Sequence, residues 1–180
     1  MLVGKERYNL DGRELLLRCP AQEDAAMLID YLKTTCGETP YLSKEPEEVL
    51  LTLEEEKEFI RRINVSKNSL MLLAFLDGQF IGNGSFLGKD LKREQHRATL
   101  GIALFQKYTG MGIGGILIKR LCEIAKEWGF EQMELQVIAK NERAVHLYRT
   151  IGFQIYGTFP DSAKYKDGTY ADTYWMMKKL

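Results

Sequence analysis

Apolar residues along the 180-residue chain occur in two patterns, short runs typical of strands and stripes with helical spacing. The runs predict strands at Glu14–Cys19, Ser69–Leu76, Gln79–Leu87, Ala98–Phe105, Gln132–Ile138, Phe153–Phe159 and Tyr170–Lys178. The stripes predict helices over Ala21–Thr35, from Thr52 onward, over Gly112–Trp128 and over Asn141–Gly152. Because strands and helices are both present in several units, the pattern predicts an α+β fold.

Turn residues between the runs indicate how the strands pair. Asp77-Gly78 and Asp167-Gly168 each separate two apolar runs, which is a strong hairpin signal. Consecutive strands in the middle of the chain are therefore expected to be antiparallel, while strand–helix–strand units add parallel pairing. We expect a mixed, largely antiparallel twisted sheet flanked by helices, in a single domain covering residues 1–180.

Two polar segments precede the central hairpin. The stretch from Gly37 to Leu51 has no clear period, so we expect a surface loop of the kind that often contributes to a binding site. Thr52 and Glu55 form a capping box at the start of the second helix. The acidic run Glu54–Glu56 is typical of a solvated first turn, where negative charge interacts favourably with the helix dipole; a substrate-binding role is the alternative.

Composition and charge indicate which partners, metal sites and cellular locations to expect. Twenty-five Lys and Arg balance 25 Asp and Glu, so the net charge indicates no nucleic-acid or membrane partner. Three cysteines without C-x-x-C spacing and two histidines predict no metal site and indicate reduced thiols. The first residues become charged too early for a signal peptide, and no apolar run is long enough for a membrane span. We therefore expect a cytoplasmic protein.

The most informative segment joins the strand ending near Phe105 to the long helix. Its glycines expose backbone N–H groups at a helix N-terminus, which predicts an anion site suited to phosphate or pyrophosphate. Gly110, Gly112 and Gly115 also fit the dinucleotide pattern G-x-G-x-x-G, but that pattern normally follows the first strand of a doubly wound sheet. A Walker A loop is excluded because no Lys-Ser/Thr follows the glycines. A further alternative is that the glycines only allow close packing of helix and strand.

Four segments follow one another in a specific order. They are the loop Tyr108–Gly114, the strand Leu135–Val137, the helical segment Asn141–Tyr148, and Ile151–Phe153. With this ordered set the chain resembles, from about Leu70 to Leu180, the GNAT superfamily of acetyl-CoA-dependent N-acetyltransferases. The segment Lys166–Asp172 resembles the ribosomal-protein and small-amine acetyltransferase branches. The resemblance implies a sheet splayed open between the fourth and fifth predicted strands, with acetyl-CoA in the gap.

The resemblance implies two sets of contacts with acetyl-CoA. The pantetheine arm pairs with the backbone near Ile102 and Leu104 in the manner of an added strand. The pyrophosphate rests on the amides of the glycine loop, which comprises Thr109, Gly110, Met111, Gly112, Ile113, Gly114 and Gly115. Thr109 stands where the family usually has Gln or Arg, and its hydroxyl is able to donate a hydrogen bond.

Acetyl transfer from a thioester to an amine needs a neutral amine, a polarised carbonyl and an acid that protonates the leaving thiolate. The resemblance implies that Tyr148 is this acid; the alternative is a core aromatic with a satisfied hydroxyl. Asn141 is predicted as an N-cap, and the resemblance adds a contact with the cofactor or substrate. A backbone N–H near Leu104 is expected to polarise the carbonyl.

The proton acceptor is left open by the sequence. Glu94, His96, Glu38 and Glu45 are candidates, as is water alone. Cys122 lies inside the long helix without a convincing His partner, so an acetyl-cysteine intermediate is disfavoured. Direct transfer in a ternary complex is the expected mechanism.

The predicted function is therefore an N-acetyltransferase that moves acetyl from acetyl-CoA to a primary amine, either a small molecule or a protein N-terminus. A non-catalytic acyl-CoA-binding regulatory module on the same fold is one alternative, and a dinucleotide-binding oxidoreductase is another. Aromatic residues crowd the C-terminal strands, where they suit the sheet core, an acceptor pocket or a homodimer face.

Overall fold

A computed structural model describes residues 3–180, and over this range the chain forms eight strands and four α-helices. The strands are β1 (Glu6–Leu10), β2 (Arg13–Arg18), β3 (Ser69–Leu76), β4 (Gln79–Gly88), β5 (Arg97–Leu104), β6 (Gln132–Ile138), β7 (Gln154–Lys164) and β8 (Tyr170–Lys179). The helices are α1 (Ala25–Glu38), α2 (Leu53–Val65), α3 (Ile113–Glu127) and α4 (Glu142–Ile151). The strands form a mixed sheet in the order β1-β2-β3-β4-β5-β6-β8-β7, in which β5 and β6 are parallel. This confirms the predicted α+β fold with its largely antiparallel sheet.

Contacts between residues divide the chain into two compact units. The first contains the residues up to Leu87 together with Gly101–Leu121, and the second contains Gly88–Leu100 and Cys122–Leu180. The single domain expected for residues 1–180 stays a prediction. Met1 and Leu2, which begin the segment considered above for a signal peptide, lie outside the described residues.

β1 is a strand that the apolar pattern does not predict. It pairs antiparallel with β2 across a turn at Asp11 and Gly12, whose φ angles are 50° and 85°. Half-buried and exposed positions alternate along β1, so one of its faces is mostly polar and the strand lacks an apolar run. Because of this additional strand, the fourth and fifth predicted strands are β5 and β6.

The core of the first unit lies between α1, α2 and the strands β3 and β4. Its buried residues are Ala25, Leu28, Tyr31, Ile60, Ile63, Met71, Leu73 and Phe80. Burial of each large apolar side chain contributes about 1.5–3 kcal/mol, so this core fixes both helices against the strands. α2 begins as predicted, because Thr52 Oγ1 accepts a 3.2 Å hydrogen bond from the Glu55 N–H and the Glu55 carboxylate accepts one of 2.8 Å from the Thr52 N–H. α1 continues to Glu38, three residues beyond its predicted end.

The N-terminal half of α3 is held on two strands of the first unit. A Cβ built on Gly84 of β4 would lie 2.9 Å from Leu121 and 3.0 Å from Leu117, so the glycine lets the helix approach the strand closely. Arg120 of α3 donates hydrogen bonds of 2.8 to 3.0 Å to the carboxylate of Glu6 on β1. These contacts position the start of the helix and the loop before it.

The second unit is built around β6 and α4. β6 pairs antiparallel with β8 along its whole length, and Arg97 at the start of β5 binds Glu134 of β6 at 3.0 Å. α4 begins after Asn141 and ends before Gly152, whose φ is 103°, as the sequence predicts. Lys178 Nζ donates a 2.7 Å hydrogen bond to the carbonyl oxygen of Ile151, which places a positive charge at the C-terminal end of α4.

Candidate active site

The peptide groups at the end of β5 alternate between the two edges of the strand. The N–H of Phe105 donates to the carbonyl oxygen of Ile81 on β4 at 3.0 Å, so the peptide group of Phe105 faces β4. Residues one position away face the opposite edge, which directs the N–H and C=O groups of Ile102 and Leu104 away from β4. The parallel ladder with β6 joins Arg97–Thr99 to Gln132–Glu134, while β5 continues to Leu104. The two residues predicted to pair with pantetheine therefore lie beyond the ladder and face the edge that such pairing needs.

Gly82 determines how closely β4 approaches the end of β5. Its φ is 147°, and a Cβ built on it would lie 2.5 Å from the carbonyl oxygen of Ala103 and 2.7 Å from the Cα of Leu104. A glycine inside a strand commonly marks such an approach of two backbones. The position of Leu104 therefore depends on residue 82 being a glycine, which has no Cβ.

Tyr31 of α1 fixes the same part of β5 from the helix side. Its hydroxyl donates a 2.6 Å hydrogen bond to the carbonyl oxygen of Ala103, and only 3% of its surface is exposed. Its ring meets those of Phe80 and Phe105 edge to face, with centroids 5.2 and 5.1 Å away. Burial raises the pKa of the Tyr31 hydroxyl, so this donor keeps its proton at neutral pH.

The glycine loop before α3 presents open backbone. Gly110 and Gly112 have φ angles of 81° and 80°, and a Cβ built on either would meet no atom within 4 Å. The N–H of Ile116 bonds to the carbonyl oxygen of Gly112 at 3.3 Å, so the N–H groups of Ile113, Gly114 and Gly115 precede the first intrahelical bond. Open space beside Gly110 and Gly112, followed by helix amides that precede the first intrahelical bond, suits a phosphate or pyrophosphate group, so these residues fit the cofactor that the sequence predicts.

Thr109 serves the turn that precedes this loop. Its hydroxyl donates a 2.7 Å hydrogen bond to the carbonyl oxygen of Gln106, and its N–H donates one of 3.1 Å to the same atom. Both donors of Thr109 are thus engaged within the chain. The predicted hydrogen bond from the Thr109 hydroxyl to phosphate would require this turn to open.

Tyr148 and Asn141 belong to the second unit, where α4 positions both. Asn141 Oδ1 accepts a 3.3 Å hydrogen bond from the N–H of Ala144, which is the predicted N-cap. Tyr148 is 8% exposed, and its ring lies edge to face with that of Phe153 at 5.8 Å. Burial raises the pKa of the Tyr148 hydroxyl to about 12, so it is protonated at neutral pH. Within residues 3–180 this hydroxyl has no hydrogen-bond partner, in contrast to the hydroxyl of Tyr31.

Structural interactions occupy several of the carboxylates considered as proton acceptors. Glu38 Oε2 accepts a 2.8 Å hydrogen bond from the N–H of Gln106, and Glu94 forms a 3.1 Å ion pair with Arg97. Glu45 precedes a 3-10 turn, and His96 contributes its carbonyl oxygen to two backbone hydrogen bonds. These contacts give Glu38 and Glu94 local roles in the fold.

Cys122 of α3 is 5% exposed, and burial raises the pKa of its thiol to about 11. The thiolate is the nucleophilic form of cysteine, and at neutral pH it is scarcely populated at this position. Cys122 therefore lacks the environment of a reactive nucleophile.

A cavity of about 870 Å³ in the first unit lies between α1, α2 and the end of β5. Leu28, Leu32, Phe59 and Met71 supply much of its apolar lining, and Gly101, Ile102 and Ala103 form its wall on β5. Leu42 and Leu51, from the loop expected to contribute to a binding site, also line it. Its volume is typical of a site for a small molecule.

Glu56 of α2 also lines this cavity and is a residue that the sequence analysis assigned to a solvated face. That interpretation holds for Glu54 and Glu55, which are exposed, but is wrong for Glu56, which is only 8% exposed. Helical spacing carries a signal for this burial, because Glu56 precedes the buried residues Ile60 and Ile63 by four and seven positions.

The strand order and the glycine loop before α3 agree with the acetyltransferase fold that the sequence resemblance implies. Comparison with known proteins then gives the family. The sequence profile described as the Acetyltransferase (GNAT) family matches residues 29–153, a range that extends from α1 to the end of α4. The chain therefore belongs to the GNAT acetyltransferase family.

Individual known proteins are similar to the chain in sequence, in fold, or in both. The crystal structure of the acetyltransferase of GNAT family from Streptococcus pneumoniae has a TM-score of 0.88 and 34% identity, covering 92% of this chain and 99% of that one. The L-amino acid N-acetyltransferase AaaT of Escherichia coli is 29% identical over 108 residues, which are 59% of this chain and 66% of that protein. The structure of yncA from Salmonella typhimurium with its cofactor acetyl-CoA has a TM-score of 0.80 at 17% identity, covering 92% of this chain and 94% of that one, and it shows likeness of fold alone.

In the part of the chain from residue 3 onward, no helix is long and apolar enough to cross a membrane. Over the same described residues, no group of three or more His, Cys, Asp or Glu side chains is arranged to hold a metal ion. The cytoplasmic location and the homodimer stay predictions.

Proposed function

We propose that the chain transfers an acetyl group from acetyl-CoA directly to a primary amine, with both substrates bound at once. The observation that carries this proposal is the hydroxyl of Tyr148, a residue that is only 8% exposed; this hydroxyl is protonated and has no partner among the described residues. A tyrosine that only fills a core normally has its hydroxyl satisfied, as Tyr31 does. An available protonated hydroxyl is what a general acid for a leaving thiolate requires.

The residues proposed to hold acetyl-CoA come from β5 and from the glycine loop. The outward peptide groups of Ile102 and Leu104 provide donors and acceptors for an extended amide chain. The N–H groups of Ile113, Gly114 and Gly115, with Gly110, Met111 and Gly112 before them, provide the proposed pyrophosphate site. Bound there, acetyl-CoA supplies an acetyl thioester as the group donor.

Three residues of the chain have proposed roles in the transfer. The Leu104 N–H polarises the thioester carbonyl as an oxyanion donor. Tyr148 protonates the sulfur that leaves. Asn141, as the cap of α4, fixes the start of the helix that carries Tyr148, and its amide N–H₂ is proposed to contact the cofactor or substrate. The raised pKa of Cys122 supports direct transfer over an acetyl-cysteine intermediate.

The acceptor is proposed to enter the cavity of the first unit, because that cavity is lined by Ile102, one of the residues proposed to bind acetyl-CoA. The relative from Escherichia coli is named for L-amino acids, and a relative from Bos taurus, 42% identical over 48 residues and matched over 28% of its length, is named for thialysine. Both names describe small amines, which supports a small primary amine ahead of a protein N-terminus for this chain.

The first experiment compares thermal unfolding of the purified protein with acetyl-CoA, CoA, NAD and NADP. A ligand that binds the native state raises the Tm, so we expect a rise with acetyl-CoA and with CoA only. A rise only with a nicotinamide nucleotide would support the oxidoreductase alternative. Release of free CoA thiol is then measured against a set of primary amines, and no release with any amine would support the regulatory module instead.

Tyr148→Phe tests the acid directly. Loss of a general acid lowers kcat by roughly 10²- to 10⁴-fold, while the Kd of acetyl-CoA should stay within about twofold. The matched control is Tyr156→Phe, which removes the hydroxyl of a 55% exposed tyrosine on β7 and should leave kcat unchanged. A normal kcat in Tyr148→Phe would remove Tyr148 from the mechanism.

A further inference from the structure

Glu56 is a largely buried residue whose carboxylate has no partner among the described residues. Its side chain lines the cavity and the residue is 8% exposed. Within residues 3–180 it forms no ion pair and its carboxylate accepts no hydrogen bond. Burying an ionised carboxylate without a partner is costly, and accordingly burial raises the pKa of Glu56. A chain that retains such a group at the wall of a cavity has a place for a ligand of opposite charge.

The neighbouring acidic residues on α2 are neither buried nor without a partner. Glu54 binds Lys57 at 2.9 Å, and Glu58 binds Arg61 at 2.7 Å. Both carboxylates are exposed, so water and a cation already compensate their charges. Glu56 therefore differs from the acidic residues beside it both in burial and in partners.

The rest of the cavity indicates what the ligand carries besides a charge. The lining also includes Phe59 of α2, Leu28 and Leu32 of α1, and Met71 of β3, all apolar. The other ionisable side chains of the lining are Tyr31 from α1 and Glu54, Glu55, Glu58 and Arg62 from α2. Tyr31 is committed to the Ala103 carbonyl, and Arg62 is the one cation among the lining residues that the structure describes. This environment favours a cation attached to an apolar body over an anion.

We propose that Glu56 binds the ammonium group of the acceptor, so that the acceptor is a primary amine carried on an apolar body. This inference rests on the proposed function, since it assigns the cavity to the acetyl acceptor. A primary alkylamine is mostly protonated at neutral pH, so the charged form is the one that enters the site. Glu56 holds the amine in this form at the cavity wall. The ammonium gives one proton to water, and its neutral nitrogen then forms the C–N bond as the C–S bond of the thioester breaks. The second nitrogen proton also passes to water, and the leaving sulfur takes the proton of Tyr148.

The binding test uses 2-phenylethylamine as the probe and 2-phenylethanol as its neutral counterpart, with isothermal titration calorimetry at neutral pH. The wild-type protein should bind the amine more tightly than the alcohol. Glu56→Gln should raise the Kd of the amine by roughly 10- to 100-fold, the effect of losing a hydrogen bond to a charged group, and should leave the Kd of the alcohol unchanged. Glu56→Asp keeps the charge and should lose less affinity than Glu56→Gln.

Glu14→Gln is the matched control, because it makes the same chemical change on an exposed carboxylate of β2 that Arg7 already binds at 3.2 Å and that lies outside the cavity lining. Its Kd for the amine should stay within about twofold of the wild type. Glu56→Gln removes an uncompensated buried charge, so its Tm without ligand should equal or exceed that of the wild type. A lower Tm would contradict the idea that the charge is uncompensated in the free protein.

Turnover separates this inference from the proposed function. With an amine that the wild type acetylates, Glu56→Gln should raise KM for the amine while kcat and the Kd of acetyl-CoA stay within about twofold. Equal amine affinity in the wild type and Glu56→Gln, or no amine binding by the wild type at millimolar concentration, overturns the role of Glu56. If instead acetyl-CoA fails to bind the wild type, the proposed function fails whatever the amine titrations show.

Discussion

The substitution Gly82→Ala tests whether the close approach of β4 and β5 is required by the fold. The added methyl carbon would lie 2.5 Å from the carbonyl oxygen of Ala103, whereas ordinary contact begins near 3.4 Å. The backbone at Ala103 and Leu104 would have to move by about 0.9 Å, the difference between these distances. Both nearest atoms belong to the backbone, so a change of side-chain rotamer offers no relief.

Two effects contribute to the expected loss of stability. Overpacking of this kind costs about 1–3 kcal/mol. The φ of 147° at Gly82 is strained for any residue with a Cβ, which costs about 1–3 kcal/mol more. We expect the free energy of unfolding to fall by about 3 kcal/mol and the Tm by roughly 10 °C for a chain of this length.

Thermal unfolding followed by circular dichroism measures the effect. The control is Gly101→Ala on β5, where the built Cβ meets only Ser85 Oγ at 3.7 Å, and its free energy of unfolding should change by less than about 0.5 kcal/mol. Folded Gly82→Ala protein should also bind acetyl-CoA more weakly than Gly101→Ala, because Leu104 is displaced. Equal stability of the two variants would refute the argument that the strands need a glycine at position 82.

Three further predictions concern the loop, the thiol and one ion pair. Gly112→Val should weaken acetyl-CoA binding by about tenfold or more, because a branched side chain is strained at a φ of 80° and fills the open space beside Gly112; unchanged affinity in a folded variant would contradict this. Cys122→Ala should retain turnover, and the wild type mixed with acetyl-CoA should show no acetylated Cys122 by mass spectrometry, whereas lost turnover in a folded variant would argue for a cysteine intermediate. The hydrogen bond from Arg120 lowers the pKa of Glu6, so its contribution to stability is complete above the ordinary glutamate pKa and is lost as the pH falls through the lowered value. The Tm of Glu6→Gln should therefore lie below that of the wild type at neutral pH and approach it below about pH 4, and a gap that persists in stronger acid would be inconsistent with this origin.

The elements predicted well from the sequence are those with local signals. β6 has the bounds that its apolar run predicts, and the two capping residues Thr52 and Asn141 begin the helices that follow them. β1 was missed because its residues are mostly polar. The Asp11-Gly12 dipeptide nevertheless carries the same turn signal as Asp77-Gly78, so a search based on turns could have found the β1–β2 hairpin.

The site was predictable only where its residues are close in sequence. The glycine loop is a local motif, and its open backbone at Gly110 and Gly112 matches the prediction. The hydrogen bond from Tyr31 to Ala103 joins residues 72 positions apart, and no local pattern indicates it. The burial of Glu56 likewise depends on the packing of α1 and β5 beside α2, which are distant in sequence. For this reason a side chain that the sequence places on a solvated face lines the cavity in the structure.

Successive peptide groups of β5 face opposite edges of the strand, so the position of a residue along the strand decides which edge its peptide group faces. Substitutions that keep the length of the strand leave these directions unchanged, whatever side chains they change. Removing or inserting one residue between Thr99 and Ile102 would exchange the two edges, so that the groups now facing β4 would turn outward and those of Ile102 and Leu104 would turn inward. Among related chains we therefore expect the side chains of this strand to vary freely at its surface, while its length stays constant.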